Sequence, residues 1–379
     1  MKAKLYITRT VKVACLLLAV MISVTFLQQF ILRRMDHNSM RLDGYYLEGK
    51  NSLDVVVIGA SDVYTSFSSC RAYDKFGFTS YPYATEAITA NGLKTALKEV
   101  LRTQNPKLIL IEINPYLYGD AYSETREANL RRLIDNMPLN TNKLEAVFGY
   151  VPNKNREEYL IPFLKYHSVW SDYPKPGRRA VSTMETTLRG YSYLKGFRTT
   201  TQYNNQPFKA LNRSVLTEEK AYPLNAKLEA SLRDLLDYCK EEKLDNVVFM
   251  RVPHMVYKDS YNRVRRANTV GQIVNSYGYD FLNLEREWNK IGLNFHDDYY
   301  NVEHMNIYGA EKFTDYLCNI IQNDYNVGPS ELTAEQKEVW DTCAESFNKL
   351  SRYCDDLIQS GKSIQLEEDI NTLKAIEDY

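Results

Sequence analysis

At 379 residues, with 44% hydrophobic and 25% charged side chains, the chain is long enough for one large domain or two small ones with a real core, and wholesale disorder is ruled out. A net charge of −1 removes any global electrostatic case for binding nucleic acid. The six cysteines, at 15, 70, 239, 318, 343 and 354, form no C-x-x-C pair and no Cys/His cluster at zinc spacing, so neither a disulfide scaffold nor a structural zinc module is expected, and with no Walker loop, G-x-G-x-x-G or metal-binding helix no metal or cofactor is expected.

Residues 13–32 (VACLLLAVMISVTFLQQFIL) are apolar apart from Gln28 and Gln29, and as a helix they span about 30 Å, the thickness of a bilayer's hydrocarbon core. Lys2, Lys4, Arg9 and Lys12 precede the run; Arg33 and Arg34 follow it. The bias predicts a cytoplasmic N-terminus, a single-pass anchor within residues 1–35, and an extracytoplasmic body. A cleaved signal peptide is the rival, but Phe-Ile-Leu-Arg-Arg offers no small-residue cleavage site.

In the body, LDVVVIG at 53–59 is a β-branched run ending in glycine, the pattern of a buried parallel strand, and 78–83 is a candidate second strand. Helical spacing over 89–104 stops at Asn105-Pro106, and KLILIEI at 107–113 is another buried strand. From 115 to 223 the alternation lapses into a stretch rich in Tyr, Arg and Asn, with helical pieces at about 124–137 and 154–168. It reads as an insertion over the carboxyl edge of the sheet, where α/β proteins bind ligands. Helix 224–242, strand 244–252, helix 262–276, strand 279–284 and helix 307–323 follow, and Gly328-Pro329 closes a unit spanning 36–328. Residues 331–379 hold 12 acidic and 5 basic side chains, net −7, so 329–379 reads as an acidic helical extension, broken near Ser360-Gly361 and dispensable for folding. The alternation predicts an α/β fold: five mostly parallel strands with helices on both faces.

Two elements carry candidate chemistry. Gly59-Ala60-Ser61-Asp62 follows the first strand, and a serine at a strand-to-helix turn offers its hydroxyl as nucleophile and its N–H as oxyanion donor. The same residues would also serve as an ordinary helix N-cap. His304, in Asn301-Val-Glu-His-Met-Asn306, precedes the last helix; the backbone dipoles there disfavour imidazolium and keep a base neutral, with Asn306 as N-cap. A surface histidine in a loop is the plain alternative. His167 and Trp170 share a helix face, either over a pocket or in the core. Arg251, before Val-Pro-His254, would hold a phosphate or carboxylate, or form a structural ion pair.

Together, strand-Gly-x-Ser and a late N-x-x-H-x-N-x-x-G resemble the SGNH/GDSL hydrolase superfamily over roughly residues 45–325. FLKYHSVW (163–170), LKGF (194–197) and HMNIYGAEKFTDYL (304–317) are similar to stretches in its membrane-anchored Gram-positive branch, related to the D-alanyl–teichoic-acid transfer protein family. The resemblance implies a flavodoxin-like, three-layer fold with Ser61 as nucleophile and His304 as base. It also implies oxyanion donors near Ala84-Thr85, without the usual glycine, and at Asn114. The place of the usual acidic partner is held by Asn301, with Asp297, Asp298 and Glu303 nearby as substitutes. Asp62, beside the nucleophile, would orient a substrate amine or repel an anion. The implied activity is an esterase or acyltransferase acting on acyl groups of cell-envelope polysaccharide or teichoic acid, with a membrane-bound O-acyltransferase as partner by analogy. The alternative is a catalytically degenerate relative that binds envelope glycan or scaffolds an export or acylation complex.

Overall fold

The computed structural model describes residues 2–27, 37–166, 174–203, 214–377 and 379. Five strands, β1 (Val55–Gly59), β2 (Ser80–Ala84), β3 (Leu108–Glu112), β4 (Val247–Arg251) and β5 (Asp280–Asn283), form one sheet in the order β2-β1-β3-β4-β5. Every pairing is parallel. β1 to β4 are buried along their whole length, which explains the apolar runs of β1, β3 and β4, whereas β5 is a half-exposed edge.

Side chains alternate between the two faces. Val56, Ile58, Ile109, Ile111, Val247 and Phe249 pack under helices Ala90–Thr103, Ala226–Glu241 and Tyr261–Ser276. Val55, Val57, Leu108, Leu110, Val248 and Met250 pack with Phe67 and with Phe313, Leu317 and Ile321 of helix Ile307–Asn323. Helix starts carry the caps their sequences advertise: Thr89 accepts from Gly92 N–H at 3.0 Å, and Asn306 from Tyr308 and Gly309 N–H at 3.1 and 3.2 Å. The register brings Gly59 opposite Ala84 and Arg251 opposite Asn283, so the loops after β1, β2, β3 and β4 leave from one edge.

The insertion departs from expectation in part. Helix Thr141–Tyr150 lies on helix Ala90–Thr103, with Asn142 Nδ2 donating to Thr95 O at 3.0 Å, and so covers the outer layer rather than the carboxyl edge. Residues 191–201 do reach that edge, where Arg198 N–H donates to Tyr64 O at 3.1 Å. His167 and Trp170 lie outside the described residues.

The acidic extension is not separable. Helix Ala334–Gln359 buries Cys343, Phe347, Leu350, Cys354 and Leu357 against Cys70, Leu194, Phe197, Ile307 and Ala310, and Trp340 joins the core under the sheet. Its charge lies on the other side, which is why composition alone suggested an appendage. Six such side chains contribute on the order of 10 kcal/mol, comparable to the whole stability of a domain. Truncation after residue 328 should therefore abolish cooperative thermal melting; a truncated chain with an ordinary sharp transition would refute this.

Among the described residues, one helix segment, Thr8–Leu27, is long and apolar enough to cross a membrane, and none of it is buried in the protein. The five other cysteines are buried free thiols.

Candidate functional site

β1 ends on Gly59, where the chain turns into helix Ser61–Ser66. A Cβ at Gly59 would collide with the Val63 side chain and lie 2.9 Å from Glu112 Cβ, so only glycine lets the turn pack this closely on β3. Ser61 is not the N-cap. Ala60 holds that position without a side-chain cap, and Ser61 Oγ instead meets His304 Nε2 at 2.7 Å across 243 residues of chain. As first residue of its helix, Ser61 has an N–H with no intrahelical acceptor.

The other face of the imidazole settles its tautomer. Asn301 Oδ1 accepts the backbone N–H groups of Glu303 and His304, both at 2.9 Å, and lies 2.9 Å from His304 Nδ1. An amide NH2 turned that way would face two N–H donors, so the carbonyl oxygen must be there and Nδ1 must carry the hydrogen. Nε2 then presents its lone pair to the Ser61 hydroxyl, as a general base requires. Tyr300 stacks on the ring at 5.4 Å between centroids. Burial holds the His304 pKa below the ordinary 6.5, opposed by the charges of Asp62 and Glu303.

The alternative acidic partners are engaged elsewhere. Asp298 pairs with Lys312 at 2.8 Å, Asp297 with His296 at 2.6 Å, and Glu303 with Arg263 at 2.5 Å.

Asn114 begins a short 3-10 turn directly after β3, one strand from Ser61. Its backbone N–H is spent on Glu112 Oε2 at 2.6 Å, and its Oδ1 accepts from Arg251 Nη1 at 2.8 Å. The amide is thereby oriented with Nδ2 as its remaining donor, and Nδ2 bonds to none of the described residues. Thr85 is a correction: its N–H donates to Gly59 O at 3.2 Å, continuing the sheet, so it does not point toward a substrate.

Asp62 and Arg251 are also corrected as substrate-binding groups. Each is 1% exposed, and they lie in a buried polar cluster behind the serine. Arg251 reaches Glu112 and Glu285, each at 3.2 Å, besides Asn114, which is the ion-pair alternative. Asp62 Oδ1 accepts Val63 N–H at 3.1 Å, and Oδ2 lies 3.3 Å from His254 Nε2. His254 Nδ1 donates to Val252 O at 2.7 Å, and burial drops its pKa to about 3, leaving Nε2 bare. Burial also pushes the Asp62 carboxyl above its ordinary value, opposed by the charge of Arg251.

Glu112, Glu285 and His254 were missed as site components. A signal was present: Glu112 and Arg251 are opposite charges at the ends of otherwise apolar strands, β3 and β4, that pair side by side. Among the described residues no cluster of three or more His, Cys, Asp or Glu side chains is arranged to hold a metal. No protein-family model, curated protein or solved structure matches the chain.

The pairing of Nδ1 with an amide makes one substitution informative. Asn301→Asp keeps Oδ1 where the three donors need it and adds a charge beside Nδ1. It should raise turnover of an activated ester about tenfold and move the acid limb of the rate profile to higher pH, because a nearby anion favours imidazolium. An unchanged limb with intact folding would mean that position 301 only orients the ring.

Proposed function

We propose that the chain is a membrane-anchored, extracytoplasmic esterase or O-acyltransferase of SGNH type, acting on acyl groups of cell-envelope polysaccharide or teichoic acid. The observation that carries the reading is the 2.7 Å contact between Ser61 Oγ and His304 Nε2, with Asn301 Oδ1 2.9 Å from the other ring nitrogen. The strand order β2-β1-β3-β4-β5 supports it, being that of flavodoxin-like sheets, which bind ligands at this edge.

Ser61 Oγ attacks the acyl carbonyl as its proton passes to His304 Nε2. The oxyanion is held by the Ser61 N–H and Asn114 Nδ2. Collapse expels the first alcohol, which takes the proton back from His304, and leaves an acyl-serine. Water or a second hydroxyl then repeats the steps in reverse, giving hydrolysis or transfer. The low pKa of His304 keeps the base competent below pH 6.5.

A fluorophosphonate probe tests the reading. Labelling that disappears in Ser61→Ala is expected; an unlabelled wild type favours the second reading, a degenerate SGNH-like protein that binds envelope glycan or scaffolds an export or acylation complex. That reading draws on Asn301, since an amide cannot stabilise imidazolium as a carboxylate does. Placement is tested separately: protease added to intact spheroplasts should digest residues 36–379, and complete protection would reverse the topology.

A further inference from the structure

Helix Pro174–Arg189 is built inside out. Ser182, Thr183 and Thr186 are 5, 1 and 6% exposed, whereas Val181, Met184 and Leu188 are 46, 45 and 81% exposed. The apolar residues fall at i, i+3 and i+7, one stripe of the helix. The Thr186 hydroxyl is accommodated within the helix, its Oγ1 donating to Ser182 O at 3.0 Å. A helix bordered only by water would present the opposite faces.

The stripe's place in the fold says what covers it. Helix Pro174–Arg189 packs on helix His37–Tyr46, the first described element after Thr8–Leu27. Ten backbone steps separate Leu27 from His37, a reach of at most about 35 Å. Helix His37–Tyr46 itself adjoins the reactive edge. Asn38 Oδ1 accepts Glu86 N–H at 2.8 Å, and the Arg41 guanidinium lies 3.8 Å over the ring of Tyr64, three residues beyond Ser61. The inverted helix therefore borders the element into which the membrane-length helix leads. Its sequence opens PKPGRR, adding three basic residues, the composition of an interfacial helix on anionic lipid.

We infer that the Val181–Met184–Leu188 face is a membrane-docking surface that seats the body on the anionic lipid bilayer carrying the anchor. The inference rests on reading Thr8–Leu27 as membrane-spanning. It deepens the proposed function, because a body docked through this helix holds Ser61 and His304 near the headgroups, where lipid-linked acyl carriers and acceptors lie.

The test uses the full chain in nanodiscs containing anionic lipid. With Cys15→Ser as background, the five remaining cysteines are buried. Nitroxide labels are placed singly through Leu17→Cys, Leu188→Cys and Lys227→Cys, the last at an exposed control position. Labels at 17 and 188 should collide more with oxygen than with a water-soluble nickel chelate, and the label at 227 the reverse. Lipid at 17 but water at 188 overturns the docking surface and leaves the anchor standing; water at both overturns the anchor reading and the inference with it. A label at 188 shielded from both reagents and broadened by a second spin means another copy covers the face, which also overturns the inference. A Val181→Glu/Leu188→Glu pair, at exposed positions, should leave Tm unchanged and shift a label at Met184→Cys from lipid to water; a label that stays in lipid counts against docking.

Discussion

Replacing Ser61 by alanine should lower turnover of an activated aryl ester by about 10⁴-fold or more, with only a small change in Tm. The size follows from the proposed reaction: without Oγ no acyl-serine forms, and what remains is direct attack by water on a carbonyl polarised by the oxyanion donors. The small effect on folding follows from the site. Ser61 Oγ makes one side-chain hydrogen bond, to His304, and caps nothing, so its loss costs about 1 kcal/mol. His304→Ala should match it, because the imidazole's lone pair has no other target in the geometry. The double variant should be no worse than either single one, since the two groups perform one proton transfer. Additive losses would mean that the residues act separately, and Ser61→Ala retaining more than a tenth of wild-type turnover would remove serine as nucleophile.

Much of the frame was legible in the sequence for a physical reason. A parallel strand buried on both faces must be apolar throughout, so LDVVVIG, KLILIEI and LDNVVFMRV stand out, and their helices carry strong caps such as Thr89 and Asn306. Ser61 and His304 were legible as candidates because each stands at a helix start by an edge of the sheet. Their meeting was legible only through the resemblance that pairs them as nucleophile and base, since nothing in local spacing fixes a contact across 243 residues. Asp62 misled because a charged residue beside a predicted nucleophile reads as substrate-facing, and Arg251 because it ends a strand at the ligand-bearing edge; the first turn of helix Ser61–Ser66 and the end of β4 place both side chains in the interior. The acidic tail misled because net charge ignores periodicity: Trp340, Cys343, Phe347, Leu350, Cys354 and Leu357 form a continuous buried stripe on an acidic helix. The inverted helix Pro174–Arg189 follows the same logic, for there the apolar stripe faces out.

The buried cluster behind the serine has the second large expected effect. Arg251→Met should destabilise the protein by about 3–5 kcal/mol at pH 8, because it leaves two carboxylates, each at most 2% exposed, without their cation. Burial, and then the charge of Asp62, already push the Glu112 carboxyl well above its ordinary 4.5, and Arg251 acts against that shift. Without Arg251, Glu112 is held protonated in the fold to still higher pH, while the unfolded chain releases its proton near 4.5. Between those two values the folded state binds more protons, so stability falls as pH rises. The penalty should therefore be smaller at pH 5 than at pH 8. Glu112→Gln in the Arg251→Met background should recover part of the loss at pH 8, since a neutral amide can still accept the Asn114 N–H. Denaturant midpoints at the two pH values check both signs. A penalty that grows toward pH 5, or a variant as stable as wild type at pH 8, would show that Arg251 is not the counter-ion of this cluster. Turnover should fall along with stability, because Asn114 Oδ1 loses the guanidinium that aims its Nδ2.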